Sequence, residues 1–199
     1  MLKELKPALL MLLVLTVITG IVYPLAVTGV AQTLFPSQAN GSLIEKDGKV
    51  VGSVLIGQAF TGPHYFNGRP SATTPTPYNA ANSGASNLAP SAKALVDGVA
   101  ERVEAVKVAN PGEVGPIPAD LVTASASGLD PHISPAAAAY QIKRVATLRH
   151  APYDEVRKLV VEHISGRSLG VLGEPTVNVL ALNLALDQRW PMKEGEDRK

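Results

Sequence analysis

Residues 8–31, ALLMLLVLTVITGIVYPLAVTGVA, carry no charged side chain. At 1.5 Å per residue, such a stretch makes a helix about 36 Å long, enough to cross a hydrocarbon layer of about 30 Å. It is also longer than the apolar stretch of about 7–15 residues in a cleaved leader, although Gly29 and Ala31 form a small-x-small site. The reading that follows is a retained membrane anchor. Working outward, Lys3 and Lys6 precede the stretch, and the next basic residue after it is Lys46. Positive charge on the near side predicts a cytoplasmic N-terminus (residues 1–7), a span (8–31) and export of everything downstream. Within the span, Thr16, Gly20, Pro24 and Thr28 recur every four residues. On a helix they form a stripe of small or weakly polar groups that lets another helix approach closely.

Composition narrows the remainder. The chain has 199 residues, enough for one domain besides the anchor. Apolar residues make up 46% but aromatics only 5%, so the core is aliphatic. There is no cysteine, which excludes disulfides, thiolate metal sites and a cysteine nucleophile. Net charge is +1, and no basic stripe is present to bind a nucleic-acid backbone.

Residues 32–42 read as a linker and 43–191 as one extracytoplasmic α/β-type domain of mixed helices, short strands and long ordered loops. Residues 192–199 read as a loose charged tail. Asp47-Gly48 between β-branched stretches predicts a hairpin. Thr61 to Pro90 is rich in Pro, Gly, Asn, Ser and Thr but keeps Tyr65, Phe66 and Tyr78, which points to an ordered functional loop. Helices are expected over 91–108, from an N-cap at Ser134 with Pro135 in the first turn to about Arg149, and over 154–164. Val177 to Leu186 fits a strand, a helix, or one leading into the other.

No self-contained catalytic set emerges. Gly166-Arg167-Ser168-Leu169-Gly170 matches a nucleophile elbow, but a helical pattern precedes it and no histidine follows it. The four histidines lack metal-ligand spacing, and Asp130, His132 and Ser134 lie too close together in one short segment for their side chains to converge as a triad. The known glycine-rich phosphate loops are absent.

Several stretches carry a resemblance that covers nearly the whole chain. They are LTVITGIVYP (15–24), QTLFP (32–36), GSLI (41–44), GSVLIGQAF (52–60), YFNGRPSA (65–72), Tyr78-Asn79, Ser86-Asn87-Leu88, ASASGLDPHIS (124–134), VNVL (177–180) and LNLAL (182–186). On these the chain resembles the C-subunit family of bacterial Kdp-type potassium-transporting P-type ATPases. Ala85 and Ala89 depart from the glycines usual there. The resemblance implies a non-catalytic accessory subunit with one membrane span. Its implied partners are a channel-like potassium-binding subunit, a P-type subunit that hydrolyses ATP, and membrane lipid. ATP, magnesium and potassium would be used by the complex rather than held by this chain. The family role of raising ATP affinity sits awkwardly with an exported domain, so any such effect would act at a distance. Partner contacts are expected at Tyr65, Phe66, Arg69, Ser71, Asn82, Ser86, Asn87, Asp130, His132, Gln141 and Arg144. The competing reading is that these residues brace one another, Arg69 with Asp130 for instance. The alternative function is a free-standing, membrane-anchored periplasmic binding module.

Overall fold

The computed structural model describes residues 2–192, so the expected tail lies almost wholly outside the described residues. The chain divides into two compact units between Val51 and Gly52.

In the first unit, helix α1 (Leu2–Val17) passes through a π-helical turn (Ile18–Val22) into α2 (Tyr23–Leu34). The segment Lys3–Leu34 is long and apolar enough to cross a membrane. Pro24 explains the wide turn. Proline has no N–H, and its ring collides with the carbonyl four residues back in a regular helix. Here the Tyr23 N–H reaches the Ile18 carbonyl, one residue further back than usual, which loosens the turn in front of Pro24. The same turn affects the small-residue stripe. An ideal helix rotates each four-residue step about 40° off line. A locally underwound turn cancels part of that drift, so Thr16, Gly20, Pro24 and Thr28 keep closer to one line. Thr19 and Thr33 satisfy their hydroxyls on the carbonyls of Leu15 and Gly29, each at 2.7 Å.

The expected linker is more ordered than its composition suggests. Helix continues to Leu34, and Pro36–Ala39 forms a short helix α3, with Pro36 in its first turn. The predicted hairpin forms from β1 (Leu43–Lys46) and β2 (Lys49–Ser53) around Asp47 and Gly48, both at positive φ. Most residues of this ribbon are exposed, and a two-stranded ribbon buries little by itself. The division between units falls inside β2, downstream of the expected start at residue 43.

In the second unit, helix α4 (Lys93–Ala109) follows the long loop. Then come β3 (His132–Ile133), α5 (Pro135–Leu148), α6 (Tyr153–Glu162), β4 (Ile164–Ser165), β5 (Thr176–Asn178) and α7 (Val179–Arg189). The expected mixture of helices and short strands is present, with the helices predominant. The sheet in this unit has three antiparallel strands of two or three residues, in the order β3-β5-β4. Val177 pairs with Ile133 on one side and Ile164 on the other. It is a clip of aliphatic residues rather than a layer, and the helices supply the core. Ile142, Val145, Val156, Leu159, Leu182 and Leu186 are fully buried there. The segment 177–186 is a strand leading directly into a helix, and Asn178 caps the change by accepting from Ala181 N at 3.0 Å. Helix α6 ends at Glu162, two residues short of the expected boundary, because Ile164 is taken by the sheet.

Candidate functional site

The long loop is ordered because helix side chains stand in for a neighbouring strand. Residues 62–65 make a turn, closed by Tyr65 N on the Gly62 carbonyl at 3.1 Å, and 66–69 continue from it without strand or helix, alongside side chains of α5 and α7. Arg144, in the middle of α5, donates through Nε to Asn110 Oδ1 at 2.9 Å. Its two terminal nitrogens donate to the Tyr65 carbonyl at 2.8 Å, Asn67 Oδ1 at 2.9 Å, Gln141 Oε1 at 2.6 Å and the Pro63 carbonyl. All these acceptors are neutral. Burial pushes the Arg144 guanidinium down to about 10. Gln141 is equally committed: Oε1 accepts from Asn67 N at 2.8 Å, and Nε2 donates to the Asn67 carbonyl at 3.1 Å. One turn into α7, Asn183 does the same for Phe66, accepting from its N–H at 2.9 Å and donating to its carbonyl at 3.0 Å. Arg149 donates to the carbonyls of His64 and Trp190, meets Asp187 at 2.8 Å, and lies 4.7 Å from the Tyr65 ring centroid. The Tyr65 hydroxyl donates to Asp187 at 3.1 Å. Burial, then the Asp187 charge, push this phenol up.

The residues expected to contact partners fall in different surroundings. Phe66, Gln141 and Arg144 are buried within the chain, at 0%, 1% and 7% exposure. Each is occupied with the loop backbone or the core. Ser71 is part-buried: it donates to the Gly128 carbonyl at 2.7 Å and accepts from Tyr78 N at 2.9 Å. Asn82 is exposed yet ties its amide to Thr74 at 2.9–3.0 Å. Ser86 and Asn87 are exposed, Asn87 at positive φ.

Arg69, Asp130 and His132 do come together. They line an open cleft of about 450 Å³ with Asp120, Ser134 and Glu174. Arg69 Nη1 meets Asp130 Oδ2 at 3.1 Å, and its other terminal nitrogen reaches the Ala124 carbonyl at 3.3 Å. The second Asp130 oxygen accepts from His132 N at 3.0 Å and lies 3.6 Å from His132 Nδ1. On the far wall, Asp120 accepts from Ser134 N at 2.6 Å and from its hydroxyl at 3.1 Å, while Ser134 Oγ caps α5 as expected. Below Arg69, the Tyr78 hydroxyl donates to its carbonyl at 2.6 Å. Burial, then Asp130, push the Tyr78 phenol up. The turn feeding this site needs Gly128. Its φ is +68°, and a Cβ there would lie 2.5 Å from Thr73 Cγ2 and 2.9 Å from the Gly84 carbonyl oxygen.

Both readings of Arg69 and Asp130 therefore meet in one pair. It braces the loop, yet each side chain keeps more than a quarter of its surface exposed in the cleft. Asp120, Glu174, Arg149 and Asn183 escaped the sequence analysis. An asparagine in the middle of the apolar run 179–186 was a usable signal, since a buried amide needs partners. Nothing local marks Asp120, which lies 14 residues from the serine it holds. Among the described residues no cluster of His, Asp and Glu could hold a metal ion.

Comparison with known proteins agrees over almost the whole length. Residues 5–188 match the family described as KdpC, K+-transporting ATPase, c chain. The chain is 62% identical to the potassium-transporting ATPase KdpC subunit of Dechloromonas aromatica, over 92% of this chain and 96% of that one. Against the subunit of the same name from Rhodospirillum rubrum it is 61% identical, over 96% and 99% of the two chains. With that of Bradyrhizobium diazoefficiens it shares 58% identity, over 94% and 98%. A match that starts in the apolar helix and ends within α7 takes in that helix, the loop and the cleft together, and the chain belongs to the KdpC family, the c chains of K+-transporting ATPases.

Proposed function

We propose that this chain is the accessory subunit of a high-affinity, ATP-driven potassium uptake complex, needed for its assembly and activity. It crosses the cytoplasmic membrane once, with the N-terminus inside and the loop-rich domain outside. That domain caps the external mouth of the channel-like subunit, and the membrane helix packs through Thr16, Gly20, Pro24 and Thr28. Contacts with partners run through Tyr65, Arg69, Asn82, Ser86, Asn87, Asp130 and His132. The observation that carries the reading is the family match over residues 5–188.

The geometry adds support. Its polar groups are committed within the chain: Asp120 accepts from Ser134 at the start of α5, and Arg144 donates to residues 63–67. What the domain presents outward is shape: an ion pair about a quarter exposed in an open cleft and exposed loop residues. An effect on ATP affinity would reach the catalytic subunit as coupling between separate sites rather than as nucleotide contact with this chain.

The decisive experiment is purification of tagged chain in mild detergent from potassium-starved cells, with ATPase activity assayed on the eluate. Recovery of two larger membrane subunits with potassium-stimulated hydrolysis is expected; recovery of this chain alone would overturn the reading. Topology is tested separately. Val114 is 99% exposed and the native chain has no cysteine, so Val114→Cys gives a single reactive site. It should react in whole cells with a membrane-impermeant thiol reagent. Labelling only by permeant reagents would place the domain inside.

A further inference from the structure

Residues 166–174 form a small hairpin whose tip belongs to neither the core nor the cleft. Ser168 and Leu172 exchange backbone hydrogen bonds, each 2.9 Å, and Gly170 N bonds to the Arg167 carbonyl at 3.1 Å. Arg167 Nη2 contacts both oxygens of Glu174, at 2.8 and 2.9 Å, and so clips the base shut. At the tip stand Leu169, Val171 and Leu172, at 90%, 72% and 59% exposure. Leu169 and Gly170 both have positive φ, which is uncommon for leucine. An isolated exposed leucine is ordinary. Three aliphatic side chains raised together on a closed turn are a patch that lacks a cover.

We propose that this hairpin is a docking knob that seats in an uncharged, aliphatic recess on another protein subunit of the transport complex. The inference rests on the reading of the chain as a membrane-anchored subunit. Three observations choose this occupant. The first is size. Three aliphatic side chains fall well short of the roughly 800 Å² per partner that a standard interface buries, so the knob could not hold a second copy or a diffusing protein by itself. Attached to an anchor it need not, because residues 35–51 separate the apolar helix from the second unit. Even fully extended, they keep the domain within about 60 Å of the helix end. Tethering at that range makes a small contact effective. The second is charge. No charged residue lies between Arg167 and Glu174, and those two neutralise each other, so the knob complements an uncharged recess. The third is composition. Segments that rest in the lipid interface carry tryptophan or tyrosine and unpaired basic residues, and 166–174 has neither. The base of the hairpin is continuous with the cleft, since Glu174 and Thr176 line its rim, so a seated knob would bring the partner against Arg69 and Asp130.

The test places a photocrosslinking phenylalanine analogue at position 169 of the full chain in cells that make the whole complex. The adduct is identified by mass spectrometry. In parallel, the double variant Leu169→Asp, Leu172→Asp is purified as above. An adduct with another subunit of the same complex is expected, with co-purification of partners reduced at least about tenfold in the double variant. Both substituted side chains project into solvent, so thermal unfolding of the variant chain should match wild type. An adduct only with lipid, an adduct only with this chain, no adduct, or undiminished co-purification would each overturn the proposal. Wild-type chain run alongside keeps the two readings apart. If it retains its partners while the hairpin results fail, only the knob is lost.

Discussion

Helices α5 to α7 and the extended loop that lies on them are held by different forces. Between the helices the contacts are aliphatic: Val145, Val156, Leu159, Leu182 and Leu186 interlock without a polar atom among their side chains. Between helices and loop the contacts are directional, and almost every bond joins a side chain of α5 or α7 to backbone of 63–67. Burying aliphatic surface is non-directional and degrades gradually when a methyl is removed. A side chain that satisfies several backbone groups at once fails abruptly, because each abandoned carbonyl or N–H stays buried without a partner. The helical part should therefore soften under mutation, whereas the loop should release.

Arg144→Met gives the sharpest version of that contrast and the largest expected effect. It keeps the aliphatic bulk but strands acceptors at Tyr65, Asn67, Asn110 and Gln141, with an expected loss of about 4 kcal/mol. Denaturant unfolding gives the total. Limited proteolysis gives its character: cleavage within 57–90 should appear at denaturant concentrations where the helices still resist. A variant that unfolds as one unit, or loses under about 1 kcal/mol, would break the comparison. Leu182→Ala should cost about 3 kcal/mol, and here the loop and the helices should become protease-sensitive together.

Smaller effects sharpen the picture at the cleft. Arg69→Ala and Asp130→Ala should each cost about 1 kcal/mol of folding stability, because the pair is more than a quarter exposed and screened by water. Their effect on recovery of partner subunits should be the larger one. Equal losses in folding and assembly would make the pair a brace alone. The smallest effect is in alkali. Tyr65 and Tyr78 are pushed up from the ordinary value of 10, so the unfolded chain releases these protons first. Stability contributed by the buried neutral phenols is intact below pH 10 and drains as pH rises through their folded values. Arg144, lowered by burial to about 10, works in the opposite sense, since there the folded chain releases its proton first. Phenolate absorbance isolates the tyrosines: Tyr65→Phe should remove part of the late-titrating fraction. An unchanged late fraction would mean that Asp187 and burial do not act on this ring.

Much of this was legible in the chain itself. The long apolar helix was the clearest element, because a run of uncharged residues has few structural uses. The hairpin at Asp47-Gly48 and the cap at Ser134 followed from turn and N-cap chemistry that depends on neighbours a few residues apart. Order in the long loop was legible from its aromatics, but its means was not. Arg144 and Gln141 are polar residues on a helix that could equally have faced solvent or a partner. Only the packing of α5 against the loop turned them inward, 74 to 79 residues away along the chain. The π-helical turn before Pro24 was similarly missed, since a proline in a helix can be met by a kink as readily as by a wider turn.

What the sequence determined alone was whatever depends on composition and short spacing: one long apolar helix, an aliphatic core, turns and caps, and a family likeness spread over almost the whole chain. The tertiary structure decided which polar residues face inward. Arg69 and Asp130 lie 61 residues apart and Asp120 and Ser134 lie 14 apart, and no local period links either pair. A hydrogen bond is satisfied by distance and angle in space, so which donor meets which carbonyl is fixed only when the helices have packed.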